Sequence, residues 1–124
     1  MAMRLMKATN EYGGGWATYY QTSSKALEIV MGLLEGMRED AEKLAAGDLH
    51  ELMRAWEMIH RIWTVEAHLR HIQFRKETRY PGFYYQADYP GQDDANWFCF
   101  VNSKYDPKAK TWEAFKKEYI KLIP

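Results

Sequence analysis

Two runs of apolar residues at three- and four-residue spacing, separated by a very short junction, constrain this chain more than any other feature. In the first, Leu27, Val30, Met31, Leu34, Met37, Ala41 and Leu44 recur on one face, which predicts a helix over residues 22–46. Thr22, Ser23 and Ser24 supply oxygens that can cap its first turn. In the second, Leu49, Leu52, Trp56, Ile59, Trp63, Ala67 and Phe74 mark the expected buried stripe of a longer helix over 48–77. Between them stands Ala45-Ala46-Gly47-Asp48. Gly47 suits the left-handed position that ends a helix, and Asp48 with Glu51 three residues on forms a capping box. So short a connection folds the two helices antiparallel.

A helix pair with one buried stripe cannot close a core without a third element. Residues 1–21 can supply it as a partial helix ending in the joint Gly13-Gly14-Gly15. No GxGxxG or GK[ST] pattern accompanies these glycines, so they read as a turn and not a phosphate loop. After Arg79 the pattern changes. Tyr80-Pro81-Gly82-Phe83 has turn chemistry, and residues 80–96 read as extended or turn. Residues 97–119 read as a hairpin, with Trp97–Val101 and Thr111–Phe115 as strands and 105–110 as the turn region. The expected fold is therefore mainly α: an antiparallel bundle of about three helices, then an aromatic-rich extended tail with a β-hairpin, in one domain over 1–124.

Charge excludes several functions. Seventeen Lys and Arg balance seventeen Asp and Glu, which removes binding to nucleic acid or membrane by bulk charge. No apolar run has the length of a membrane span, and no signal-peptide stretch opens the chain, so a cytoplasmic setting is expected. Met1-Ala2 reads as an addition ahead of Met3, in which case the chain is a piece of something longer. A single cysteine, Cys99, excludes a disulfide or a Cys-based metal site within the chain; between Phe98 and Phe100 it reads as a buried structural thiol. Glu57-x-x-His60 is half of a helical di-iron pattern, but no second such motif exists. His60, His68 and His71 lack the further ligand that zinc needs. No metal is expected, and no catalytic or cofactor-binding residue is assigned.

The stretch from Arg70 to Tyr89 is unusual. Arg70, Arg75, Lys76 and Arg79 precede a run of rings, and Asp88, Asp93 and Asp94 follow. Those carboxylates would repel phosphates, so the stretch reads as an aromatic clasp or docking surface and not a single-strand nucleic-acid platform. The candidate domain or subunit interface comprises Arg75, Arg79, Tyr80, Phe83, Tyr84, Tyr85 and Trp97.

From His71 to Pro90 (HIQFRKETRYPGFYYQADYP), from Asn96 to Pro107 (NWFCFVNSKYDP), and in Arg38–Ala46 and Asp48–Glu57, the sequence resembles the C-terminal part of dissimilatory adenylylsulfate reductase alpha subunits. Glu77-Thr78-Arg79, Asp88-Tyr89-Pro90, Asp93-Asp94 and Asn96-Trp97 also resemble the framework that ends the succinate dehydrogenase and fumarate reductase flavoproteins. Where those carry Arg-Gly-Ala-His, this chain has Arg79-Tyr80-Pro81-Gly82, which favours the adenylylsulfate reductase branch. The resemblance implies a parent that binds FAD and converts adenylyl sulfate and two electrons to AMP and sulfite. It implies a ferredoxin-like beta subunit, with iron–sulfur clusters, as electron donor. It places the flavin fold upstream, so this chain would be a non-catalytic domain without a cofactor of its own, packed on the flavin domain or the beta subunit. Arg79 is the position to watch, at the domain junction. Cut free of its neighbours, such a domain is expected to self-associate through exposed rings. Two other readings stay open: the same domain of a succinate or fumarate oxidoreductase, and a free-standing helical interaction module.

Overall fold

The computed structural model describes residues 1–120 and 122. Helix α1 (Ala2–Glu11) leads through a 3₁₀ turn (Trp16–Thr18) and strand β1 (Gln21–Thr22) into α2 (Ser24–Ala41). Helix α3 (Leu49–Phe74) returns antiparallel to α2, and is followed by β2 (Tyr85–Gln86), a short helix α4 (Asp94–Trp97), and the hairpin of β3 (Cys99–Asp106) and β4 (Thr111–Glu118). The architecture is mainly α with a C-terminal hairpin, as the sequence leads one to expect.

Three helices build the core. Leu5 and Ala8 from α1 meet Leu27, Val30, Leu34 and Met37 from α2, and Met58, Ile62, Leu69 and Ile72 from α3. Helix α2 starts where the hydroxyls stand: Ser23 Oγ accepts from the Ala26 N–H at 3.2 Å. A second cap arrives from far along the chain, because Asp88 Oδ2 accepts from the Ser24 N–H at 2.6 Å. Gly13 lies so close to α3 that an added Cβ would sit 2.8 Å from Thr9 O and 2.9 Å from a Leu69 methyl. Gly14, at φ 82°, takes a left-handed turn. The glycine joint is thus the tight corner where α1 folds back, with no phosphate-loop geometry.

The junction differs from expectation in two ways. Helix α2 ends at Ala41 and not at residue 46, so Leu44 lies in irregular chain and is not part of the stripe. Gly47 does not take the left-handed conformation, because the helix it was expected to end has stopped six residues earlier. It serves the next helix instead: its N–H donates to Glu51 Oε2 at 2.8 Å, while Asp48 Oδ1 accepts from the Glu51 N–H at 2.8 Å. The capping box forms with its return bond shifted one residue upstream.

The stripe assigned to α3 is also displaced. The buried side chains are Met58, Ile62, Glu66, Leu69 and Ile72, whereas Leu49 is 84 % and Trp56 55 % exposed, and Leu52 is exposed as well. Geometry explains this. The end of α2, at Ala41 and Glu42, lies beside Ile59, Ile62 and Trp63, so the first turns of α3 overhang with no helix opposite. Helix α3 has two apolar stripes, and the one offset from the core receives the hairpin at its Trp63 end. There the Tyr105 ring meets Trp63 edge-on with centroids 4.9 Å apart, and Trp112 stands 6.5 Å from it. Helix α3 also stops at Phe74, short of residue 77, where Arg75 turns extended.

In the hairpin, Cys99 pairs with Glu118 and Asp106 with Thr111. Asp106 Oδ1 accepts from the Lys108 N–H at 2.8 Å and helps hold the turn. Trp97, expected to open the first strand, closes α4 instead, since Asp93 caps that turn by accepting from the Asn96 N–H at 3.1 Å. Two-residue β1 and β2 pair in parallel, Gln21 with Tyr85 and Thr22 with Gln86, tying the glycine corner to the aromatic turn. No helix among the described residues is long and apolar enough to cross a membrane. Asp48→Ala is expected to destabilise the chain by about 1 kcal/mol through loss of the α3 cap, read as a lower urea midpoint with unchanged slope.

Candidate docking site around a buried carboxylate

Just beyond α3, Glu77 points inward and its side chain is 0 % exposed. A carboxylate without solvent must be paired and hydrogen-bonded, and this one is bound on every side. Arg75 Nη1 donates to Oε1. Arg79 donates through Nε to Oε1 at 2.9 Å and through Nη2 to Oε2 at 3.1 Å, and the Asp93 N–H donates to Oε2 at 2.9 Å. Burial pushes the Glu77 carboxyl up, but the Asp93 amide and the Arg79 and Arg75 guanidiniums outweigh it and hold the pKa below its ordinary value.

Both arginines extend the network. Arg75 donates to the carbonyls of Trp97 at 3.0 Å and Cys99 at 2.7 Å, so the end of α3 grips the start of β3. Arg79 Nη1 donates to Asp94 Oδ1 at 2.8 Å. Gln92 and Arg79 together hold the Asp94 carboxyl below its usual range. Each guanidinium also lies over a ring, Arg75 at 5.8 Å from the Trp97 centroid and Arg79 at 5.7 Å from Phe98. Thr78, buried between the arginines, donates to Tyr89 O at 2.8 Å and accepts from the Gln86 N–H at 3.0 Å.

On this base sits an open groove of about 410 Å³, walled by Arg75, Arg79, Tyr80, Tyr84, Trp97, Phe98, Cys99, Phe100 and Tyr119. Five of the seven interface candidates, Arg75, Arg79, Tyr80, Tyr84 and Trp97, come together here. Tyr85 is held in the β1–β2 bridge. Phe83 stands outside the groove, packed near Tyr20 with centroids 6.3 Å apart. Phe98, Phe100 and Tyr119 were not among the candidates. Tyr119 stacks edge-on against Phe98 at 5.1 Å and tilts over Phe100 at 5.8 Å. The alternation in Trp97–Val101 was the available signal, since Phe98 and Phe100 take the sheet face opposite Cys99. Cys99 itself is half-buried and not fully buried as expected, because the two-stranded sheet covers it on one side only. Burial pushes the Tyr84 hydroxyl up to about 12, so it stays a neutral phenol.

Both guanidiniums are committed, Arg75 to Glu77 and two backbone carbonyls, Arg79 to Glu77 and Asp94. Among the described residues no group of three His, Cys, Asp or Glu side chains is placed to hold a metal ion. The histidines have other partners. His60 packs on Trp56, His50 accepts from Arg54 and His71 bonds Ser103 at 2.8 Å, while desolvation and the nearby His71 lower the pKa of His68.

No protein-family model matches the sequence. The chain is 59 % identical over 122 residues to an adenylylsulfate reductase subunit alpha of Megalodesulfovibrio gigas, a match that covers 98 % of this chain and 18 % of that protein. The structure of adenylylsulfate reductase from Archaeoglobus fulgidus superposes with a TM-score of 0.96 at 54 % identity, over 98 % of this chain and 19 % of the other. A structure of adenosine-5-phosphosulfate reductase in complex with sulfite as a covalent adduct gives the same values. The chain thus spans about a fifth of the length of the proteins it matches.

Glu77→Gln leaves two arginines facing a neutral amide in a buried site. It is expected to cost about 3 kcal/mol or more of unfolding free energy at neutral pH. Because folding depresses the Glu77 pKa, its contribution is full above the ordinary 4.5 and is lost as pH falls through the lower folded value. Denaturation across the acid range should therefore show a loss of stability that the Gln variant lacks in part.

Proposed function

We propose that this chain, a segment of the adenylylsulfate reductase alpha-subunit family over nearly its whole length, is the non-catalytic C-terminal helical domain of such a subunit. It is a scaffold that packs on the flavin domain of the same polypeptide and on a ferredoxin-like iron–sulfur beta subunit. The parent reaction converts adenylyl sulfate and two electrons to AMP and sulfite on FAD, in the cytoplasm. The observation that carries this reading is the Glu77 cluster: four hydrogen bonds from three residues are spent on fixing a groove of rings, and no proton-transfer or nucleophilic pair faces that groove.

Aromatic rings and arginines are the residue types that interface centres favour, and here they are held on a rigid base. Neither a βαβ unit nor a dinucleotide fingerprint occurs among the described residues, which supports placing the cofactor in the remainder of the parent. The relatives favour this family over the succinate and fumarate oxidoreductases, in line with Tyr80-Pro81-Gly82 after Arg79. The purified chain is expected to be colourless, to retain no FAD, and to release no sulfite from adenylyl sulfate with a reduced viologen. In the full-length alpha subunit, Arg79→Ala should weaken assembly with the beta subunit or loosen flavin retention. A yellow fragment carrying flavin in stoichiometric amount overturns the assignment.

A further inference from the structure

Residues 12–24 and 80–87 contain no charged side chain, although 27 % of the chain is Asp, Glu, Lys or Arg. Between them they carry Tyr12, Trp16, Tyr19, Tyr20, Tyr80, Phe83, Tyr84 and Tyr85. The fold makes one surface of the two stretches. The parallel bridge of β1 and β2 joins them, the Tyr85 N–H donates to Tyr20 O at 2.9 Å and the Ala87 N–H to Thr22 O at 2.8 Å. On this surface Trp16 is 72 %, Tyr19 84 % and Phe83 81 % exposed.

Water is a poor neighbour for rings so placed, and the backbone is held against its preference to place them. Tyr19 and Tyr20 are consecutive residues at φ 52° and 61°, in the left-handed region that side chains with a Cβ disfavour. Hydrogen bonds fix the strained pair: the Tyr20 N–H donates to Gly15 O at 2.9 Å, and Tyr19 closes the 3₁₀ turn onto Trp16 O at 3.1 Å. Strain of this kind persists only where the surroundings impose it, and it gathers at functional surfaces.

We infer that this two-loop face is the docking surface for the body of the same polypeptide, and that the surface it meets there is apolar and free of charge. The inference rests on reading the chain as a domain of a longer subunit, of which the relatives hold about four-fifths elsewhere. Charge matching selects the occupant. The nearest charges are spent within the chain, Asp88 on the Ser24 N–H and Arg75 on Glu77 and two carbonyls, so the face offers little to steer or select a separately diffusing charged partner, whereas permanent interfaces resemble a core cut in half. The face borders the groove above Glu77 and shares Tyr80 and Tyr84 with it, but Trp16, Tyr19 and Phe83 lie outside that groove, whose rim carries Arg75 and Arg79. It also adds Trp16, Tyr19 and Tyr20 to the residues that contact a neighbour.

Hydroxyl-radical footprinting tests the inference on this chain and on a full-length alpha subunit that contains it. Oxidation of Trp16, Tyr19 and Phe83 is expected to fall about tenfold in the full-length subunit, as for rings moved into an interface core. Trp16→Ser with Phe83→Ser should leave the unfolding midpoint of this chain unchanged, since both rings are exposed, and should restore oxidation of Tyr19 in the full-length subunit. Equal oxidation in chain and subunit overturns the inference. So does protection that appears only on adding the beta subunit, or only on concentrating the short chain. Phe100→Ser with Tyr119→Ser reports separately on the groove: loss of beta-subunit assembly there, with the loop face unprotected, leaves the domain assignment standing and the loop inference refuted.

Discussion

A carboxylate removed from water at residue 77 is the constraint on which the second half of this structure depends. Taking an ion out of solvent costs several kcal/mol even after relaxation, and only a complete set of partners makes the site tenable. That requirement fixes the position of Arg75 at the end of α3, of Arg79 two residues on, and of the Asp93 amide across the turn. Once these are set, the Trp97 and Cys99 carbonyls are set too, and the hairpin has its point of departure.

The same device appears once more along α3. Glu66 is fully buried and meets Arg70 at 2.7 Å and Arg38 at 2.9 Å. Arg70 bonds it through Nε at 2.8 Å, while Arg38 makes a charge contact without hydrogen-bond alignment. Each of these arginines also lies near a ring, Arg38 over Trp63 and Arg70 over Trp112. So α2, α3 and β4 converge on one carboxylate, and α3, α4 and β3 converge on the other. A two-stranded hairpin is marginal alone; here it is pinned at both ends by guanidiniums that satisfy acids and cover aromatics together.

Legibility in the sequence followed the range of the forces. Periodicity and capping chemistry are local, and they located α2 and α3, the Asp48 cap and the strands after residue 98. Which face of α3 is buried depends on where α2 ends, and that is settled by packing of Ala41 against Ile62, about twenty residues apart in the chain. Hence Leu49, Leu52 and Trp56 looked internal and are not. Gly47 misled for the same reason. Of the candidate surface, the rings next to Arg79 were legible because aromatics and cations cluster in the chain there. Trp16, Tyr19 and Tyr20 were hidden by the two long helices that intervene in the chain, and only the β1–β2 bridge brings their loop beside that of Phe83.

The guanidinium of Arg75 reaches the Cys99 carbonyl across a separation of 24 residues, and so ties off a long excursion of backbone with a side chain. The entropy of such a closure grows only with the logarithm of its length; doubling the excursion adds about 0.6 kcal/mol. At its outer bend, Gly82 has open space where a side chain would stand. A side chain at Gly82 is therefore accommodated at small thermodynamic expense, while Arg75 at the foot of the excursion stays under ionic lock with Glu77.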